Sequence, residues 1–133
     1  MIRILIIDDS FMVRTALKRL LEAVPGFEIV GEAKNGMEGI EKVKVFSPHV
    51  VTCDMEMPVM DGVQVMMHLR TAHPKVKVVV LSSITQPDSP KERICQSLGA
   101  FAVMAKPVQH SDLDPVQDAE KLIHTIQQAA SAA

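Results

Sequence analysis

The stretch "HVVTCDMEMPVMDG", His49 to Gly62, sets the problem. A short apolar run that reads as a buried strand ends in an aspartate, Asp54. The chain then enters a loop of methionines with Glu56 and Pro58 before Gly62. An acid at the end of a buried strand needs a structural partner or a chemical task. What the other strand ends carry decides between the two.

Four further apolar runs share the character of the first: "IRILII" (2–7), "FEIVGE" (27–32), "VKVVVLS" (76–82) and "FAVMA" (101–105). Most are β-branched or continuously apolar, as strands covered on both faces should be. "FEIVGE" alternates more and suits an edge. Between them lie helix-period segments at 11–24, 36–46, 62–72 and 90–98. The first groups Val13, Leu17, Leu20, Leu21 and Val24. The second groups Met37, Ile40 and Val43, and the third Val65, Met66 and Leu69. Asn35 with Glu38 reads as a capping box, and Ser89-Pro90 with Glu92 as a cap, an N1 proline and a capping acid. A last helix opens near Asp114-Pro115 and carries Leu122, Ile123 and Ile126. Alternation of strand and helix with short connections predicts an α/β fold, a doubly wound parallel sheet of five strands.

Bulk properties bound the function. The 133 residues fit one domain, 1–133, with a core to about residue 127 and an Ala/Gln/Ser-rich tail. Apolar residues at 47 % suffice for a core without disulfides, so Cys53 and Cys95 read as buried filler. A net charge of −2 and the lack of Trp and Tyr argue against nucleic-acid binding by this domain. No segment reaches the ~18 apolar residues of a membrane span, and the N-terminus lacks signal-peptide features, so a cytoplasmic setting is expected. The five histidines show no metal-ligand spacing and read as surface or loop residues.

Ligands of such a sheet bind beyond the carboxyl ends of the strands. Asp8, Asp9 and Ser10 follow the first strand. Asp54 and Glu56 follow the third, Ser82 and Ser83 end the fourth, and Lys106-Pro107 follows the fifth. Each has a bland reading alone. Asp9 or Ser10 could cap the first helix, Asp54 could bond a loop, and Lys106 could be solvated. The bland reading must hold four times at the one edge where sites occur, and is the weaker account. Two carboxylates ~4 Å apart repel by roughly 4 kcal/mol at an effective dielectric of 20, so clustered acids call for a cation. Oxygen-rich clusters suit Mg²⁺, a lysine suits phosphate oxygens, and a hydroxyl can donate one bond more. A metal, anion-binding groups and a carboxylate nucleophile make a phosphoryl-transfer site.

"ILIIDDS", "VVTCDMEMPVMDG", "VVVLSSIT" and "GAFAVMAKP" together resemble receiver domains of two-component response regulators. "DMEMPVMDG" with "LSSIT" is most similar to the receiver of chemotaxis methylesterases. The resemblance implies a flavodoxin-like (βα)5 sheet of order 2-1-3-4-5. It implies Asp54 as phospho-acceptor, Ser82 as the hydroxyl that turns to the phosphoryl group, with Ser83 the lesser candidate, and Lys106 as its lysine contact. Mg²⁺ would be held by Asp9, Asp54 and the Glu56 carbonyl, and by Asp8 through water. Pro107, after a cis peptide, would fix the lysine's aim. The implied partner is a sensor histidine kinase or histidine phosphotransfer protein, with altered partner binding or homodimerisation as output. The domain would be no enzyme beyond its own phosphorylation and dephosphorylation.

Three departures matter. Val103 occupies the place where family members commonly carry Phe or Tyr, and the nearest aromatic is Phe101, which speaks against an aromatic-flip output. Glu56 sits two residues past Asp54, where a side chain can influence acyl-phosphate hydrolysis. No G-x-S-x-G motif of a serine hydrolase occurs. Gly62 reads as supplying a backbone shape other residues tolerate poorly, and Pro58 as stiffening the loop. Met55, Met57 and Met60 either form a contact surface or pack under the loop. Two competing readings are a Mg²⁺-dependent phosphohydrolase with an aspartyl nucleophile and a receiver-like module that binds without phosphorylation. The first lacks a D-x-D pair after strand 1, and the second leaves five filled site positions idle.

Overall fold

Five strands and five helices alternate: β1 (Ile2–Ile7), α1 (Phe11–Glu22), β2 (Phe27–Ala33), α2 (Gly36–Phe46), β3 (Val50–Asp54), α3 (Gly62–Ala72), β4 (Lys77–Ser82), α4 (Pro90–Ser97), β5 (Ala102–Ala105) and α5 (Pro115–Ser131). The computed structural model describes residues 1–82, 89–107 and 115–132, so Ser83, His110 and Asp114 lie outside the described residues. The strands pair in parallel in the order β2-β1-β3-β4-β5. The expected order is therefore the observed one. Both β2 and β5 are edges, and β5 is half-buried throughout although its sequence reads as a covered strand.

Side-chain alternation divides the core in two. Ile4 and Ile6 face one side with Val50, Val79 and Leu81, against Val13, Leu17 and Leu21 of α1 and Leu122, Ile126 and Ala129 of α5. Leu5 and Ile7 face the other side with Val51, Cys53, Val78 and Val80, against Val43 of α2, Val65, Met66 and Leu69 of α3 and Cys95 of α4. The four β1 side chains from Ile4 to Ile7 are essentially sealed, each worth about 1.5–3 kcal/mol of burial. A bulge at Val30 shifts the register, so Ile4 pairs with Ile29 and Leu5 with Gly31.

Helix caps follow the sequence closely. The side chains of Ser10, Asn35, Asp61 and Ser89 accept the N–H of Val13, Glu38, Gln64 and Glu92 respectively. The closed capping box is at α3, between Asp61 and Gln64. At Asn35 only half of the expected box forms, because the Glu38 carboxylate is taken by Lys42 at 3.2 Å and by the Lys34 N–H at 3.4 Å. On α2 the buried positions are Gly36, Gly39 and Val43, while Met37 is exposed. Two glycines bring this helix's backbone close to its neighbours, which turns its inward face away from Met37.

Candidate functional site

Register builds a staircase at the carboxyl edge. Ile7 pairs with Cys53, Asp54 with Leu81, and Ser82 with Ala105. The next residues along β1 and β5 are Asp8 and Lys106, so four strands deliver Asp8, Asp54, Ser82 and Lys106 to one crevice. It lies where the strand order reverses on either side of β1, the place where open parallel sheets bind ligands. Ser10 caps α1 and leaves Asp9 exposed at the mouth.

Lys106 is buried, and its Nζ lies 2.9 Å from Asp8 Oδ2 and 3.2 Å from Asp54 Oδ1, both buried acids. Its N–H donates to the Ser82 carbonyl at 2.9 Å, which ties the ends of β4 and β5 together. The other Asp8 oxygen accepts the Ser10 N–H at 2.9 Å. Arg14 donates to the Asp8 carbonyl at 2.6 Å and pairs with Glu32. Burial alone would lower the Lys106 pKa, but hydrogen bonding to Asp8 and the Asp54 charge outweigh it and leave the ammonium above its usual range. Asp54 behaves oppositely to a salt-bridged acid. Burial first, then the Asp8 charge, raise it from 3.8 to about 7 despite Lys106, with a hydrogen bond from protonated Asp54 to Asp9 adding to the rise. One lysine thus does not neutralise this cluster.

Asp8, Asp9 and Asp54 each place an oxygen within 4.8 Å of the others. Two of these acids are buried and one is exposed at the mouth, an all-oxygen set open to solvent on one side. Such a set, with excess negative charge, fits a hard divalent cation that keeps several waters.

The loop after Asp54 is shaped by packing. Met55 and Met57 are buried and Met60 packs on the core, so the methionines fill the space beneath the loop. Val59 is exposed, and its φ of 71° places a β-branched residue in the left-handed region after the exposed Pro58. Gly62 differs from its sequence reading. Its φ is not positive, and its requirement is space: a Cβ would lie 2.9 Å from both the Asp54 carbonyl oxygen and Met55 Cα. Its N–H also donates to the Met55 carbonyl at 2.9 Å. Gly62→Ala is expected to cost roughly 1–3 kcal/mol in urea unfolding, because backbone rather than a flexible side chain must move.

A second departure concerns Pro107. The described residues contain no cis peptide, so the Lys106–Pro107 bond is trans. The lysine's aim is set instead by its N–H bond to Ser82 and by its two carboxylate partners. Val103 packs on the α2–α4 side of the core, and Phe101, the residue before β5, is exposed.

Lys91 is a participant that the sequence did not signal. Its Nζ contacts both Glu56 carboxylate oxygens, at 3.2 and 3.0 Å, and Asp61 Oδ2 at 3.4 Å. The Glu56 hydrogen bond, helped by Asp61, raises its pKa. Meanwhile the Glu56 N–H donates to Asp54 Oδ1 at 3.3 Å. Lys91 follows the N1 proline of α4 and reads in sequence as an ordinary first-turn residue. Its role depends on where α4 sits, which no local pattern encodes.

Known proteins match over the same span. The model of the response regulator receiver domain matches residues 4–117. A protein-glutamate methylesterase/protein-glutamine glutaminase of Saccharophagus degradans is 38 % identical over 98 % of this chain and 37 % of its own length. One from Koribacter versatilis is 35 % identical over 98 % of the chain and 36 % of its length. The chain thus spans little more than a third of these curated relatives. Among solved structures, the response regulator domain of Thermotoga maritima CheB superposes with a TM-score of 0.89 at 32 % identity, covering 99 % of this chain and 98 % of that one. A response regulator receiver domain protein from Clostridium thermocellum gives 0.80 at 27 % identity, covering 98 % and 94 %. With its sheet order, its acid-lined crevice and this match in hand, the chain belongs to the response regulator receiver domain family, phospho-accepting modules of two-component signalling.

Proposed function

We propose that Asp54 is the residue that takes up the phosphoryl group, with Lys106 and Ser82 as its contacts and Asp8, Asp9, Asp54 and the Glu56 carbonyl as the holders of Mg²⁺. The observation that carries this reading is the buried Lys106 ammonium within 3.2 Å of Asp54 and 2.9 Å of Asp8, at the crevice where Asp9 opens to solvent. An ionised Asp54 oxygen attacks phosphorus, forming an O–P bond while the donor's P–N bond, or the P–O bond of an acyl phosphate, breaks. The leaving nitrogen or oxygen keeps the electron pair. Bound Mg²⁺ would supply positive charge to the acceptor carboxylate and to the transferring oxygens. Lys106 offsets charge on the phosphoryl oxygens, and the Ser82 hydroxyl donates one more hydrogen bond to them.

The donor is the phosphohistidine of a sensor kinase or of a histidine phosphotransfer protein. The product carries added negative charge in a preformed crevice, which biases the arrangement of the β4–α5 side and so the affinity for a partner or for a second copy. Among the described residues no helix is long and apolar enough to cross a membrane. With acetyl phosphate and Mg²⁺ the protein is expected to gain one phosphoryl mass. Chelation with EDTA, or Asp54→Asn, is expected to remove the gain. Stoichiometric labelling that persists in Asp54→Asn would rule out this residue as the acceptor.

A further inference from the structure

The mouth of the crevice is crowded with negative charge. Asp8, Asp9 and Asp54 line it, and Glu56 and Asp61 stand beside it. Any phosphoryl donor is itself an anion and must approach this rim. The Glu56 backbone rests against the nucleophile, since its N–H donates to Asp54 Oδ1 at 3.3 Å, yet its side chain is half exposed and drawn to α4. Lys91 does the drawing, gripping both Glu56 oxygens and reaching Asp61 as well.

Both ends of this tether are firmly seated. Asp61 is the N-cap of α3 in a closed capping box. Lys91 lies in the first turn of α4, whose N-terminus is capped by Ser89 with Pro90 at its start. An exposed ion pair contributes little to stability, so its effect should be sought in local charge and in where the Glu56 carboxylate is kept.

Resting on the assignment of Asp54 as acceptor, we propose that Lys91 is a positioning residue for phosphoryl uptake: it holds the Glu56 carboxylate on the α4 side of the mouth and offsets its charge, so that an anionic donor meets a less negative rim. Without Lys91, the flexible Glu56 side chain is released two residues from the nucleophile and the rim loses one positive charge. The effect is electrostatic steering, which salt screens.

The test is the initial rate of acetyl phosphate labelling at fixed Mg²⁺. At about 20 mM ionic strength Lys91→Met is expected to label roughly three- to tenfold more slowly than wild type. At about 0.5 M the gap should narrow to less than about twofold. Lys91→Arg should restore most of the rate. In a Glu56→Gln background, Lys91→Met should lose less than half as much on a logarithmic scale, Asp61 accounting for the remainder. A Lys91→Met protein that labels at the wild-type rate in low salt overturns the inference. So does a deficit that is equal at both salt concentrations and in both backgrounds. Either result, with wild type labelled at position 54, leaves the acceptor assignment standing; a wild type that labels elsewhere overturns both.

Discussion

Lys106→Met is expected to destabilise the metal-free protein by roughly 3–5 kcal/mol at pH 8, measured by urea unfolding. The lysine is buried with two acids, and its removal leaves Asp8 and Asp54 facing each other without a cation. Methionine preserves most of the stem's packing, so the loss reports charge rather than volume. The deficit should shrink as pH is lowered from 8 towards 7, because Asp54, freed of the lysine that holds its pKa down, takes up a proton above its wild-type value of about 7 and the repulsion falls. Saturating Mg²⁺ should also reduce it. A cost below about 1 kcal/mol under metal-free conditions would mean that the pair is far better solvated than its burial implies.

Asp54→Asn should act in the opposite direction, stabilising the metal-free protein by about 2–4 kcal/mol at pH 8. Asp54 titrates at about 7 in the fold against an ordinary 3.8, because burial and Asp8 penalise its charge. Between those values the native state holds a proton that the unfolded chain has released. The stabilisation contributed by the protonated carboxyl is therefore present at about pH 4 and is lost as pH rises through 7. Wild-type stability should fall across that window, and Asp54→Asn, which cannot ionise, should not show this component. Denaturation profiles of the two proteins at several pH values measure the difference directly. Curves that stay parallel from pH 4 to 8 would contradict the assignment of strain to this carboxylate. Taken together, the two substitutions describe a site that is unstable on its own account and is relieved by positive charge.

Much of this is legible in the sequence. The five apolar runs lie within a residue or two of the observed strands, because β-branched runs bounded by caps and loops leave little choice of element. Asp8, Asp54, Ser82 and Lys106 meet because parallel pairing fixes register, so residues at strand ends are neighbours whatever their separation in sequence. Other features depended on packing between elements. Met37 has helical spacing suited to a buried face, yet Gly36 and Gly39 draw the helix in on another side. Gly62 was readable as special but not for the right reason, since the clash that its Cβ would create involves the Asp54 backbone. Lys91 carries no local signal at all, because its partners lie 30 and 35 residues away. The methionines of the loop turned inward, leaving Val59 as the apolar side chain that faces solvent there.

The central claim is that the carboxylate of Asp54 forms the acyl phosphate. Its most direct test is reductive trapping with borohydride after exposure to acetyl phosphate and Mg²⁺, followed by peptide sequencing, since reduction converts a phosphorylated aspartate to homoserine. Homoserine at position 54 and at no other acid is the expected result. Homoserine at position 8 or 9, or a stable label that borohydride leaves untouched, would contradict it.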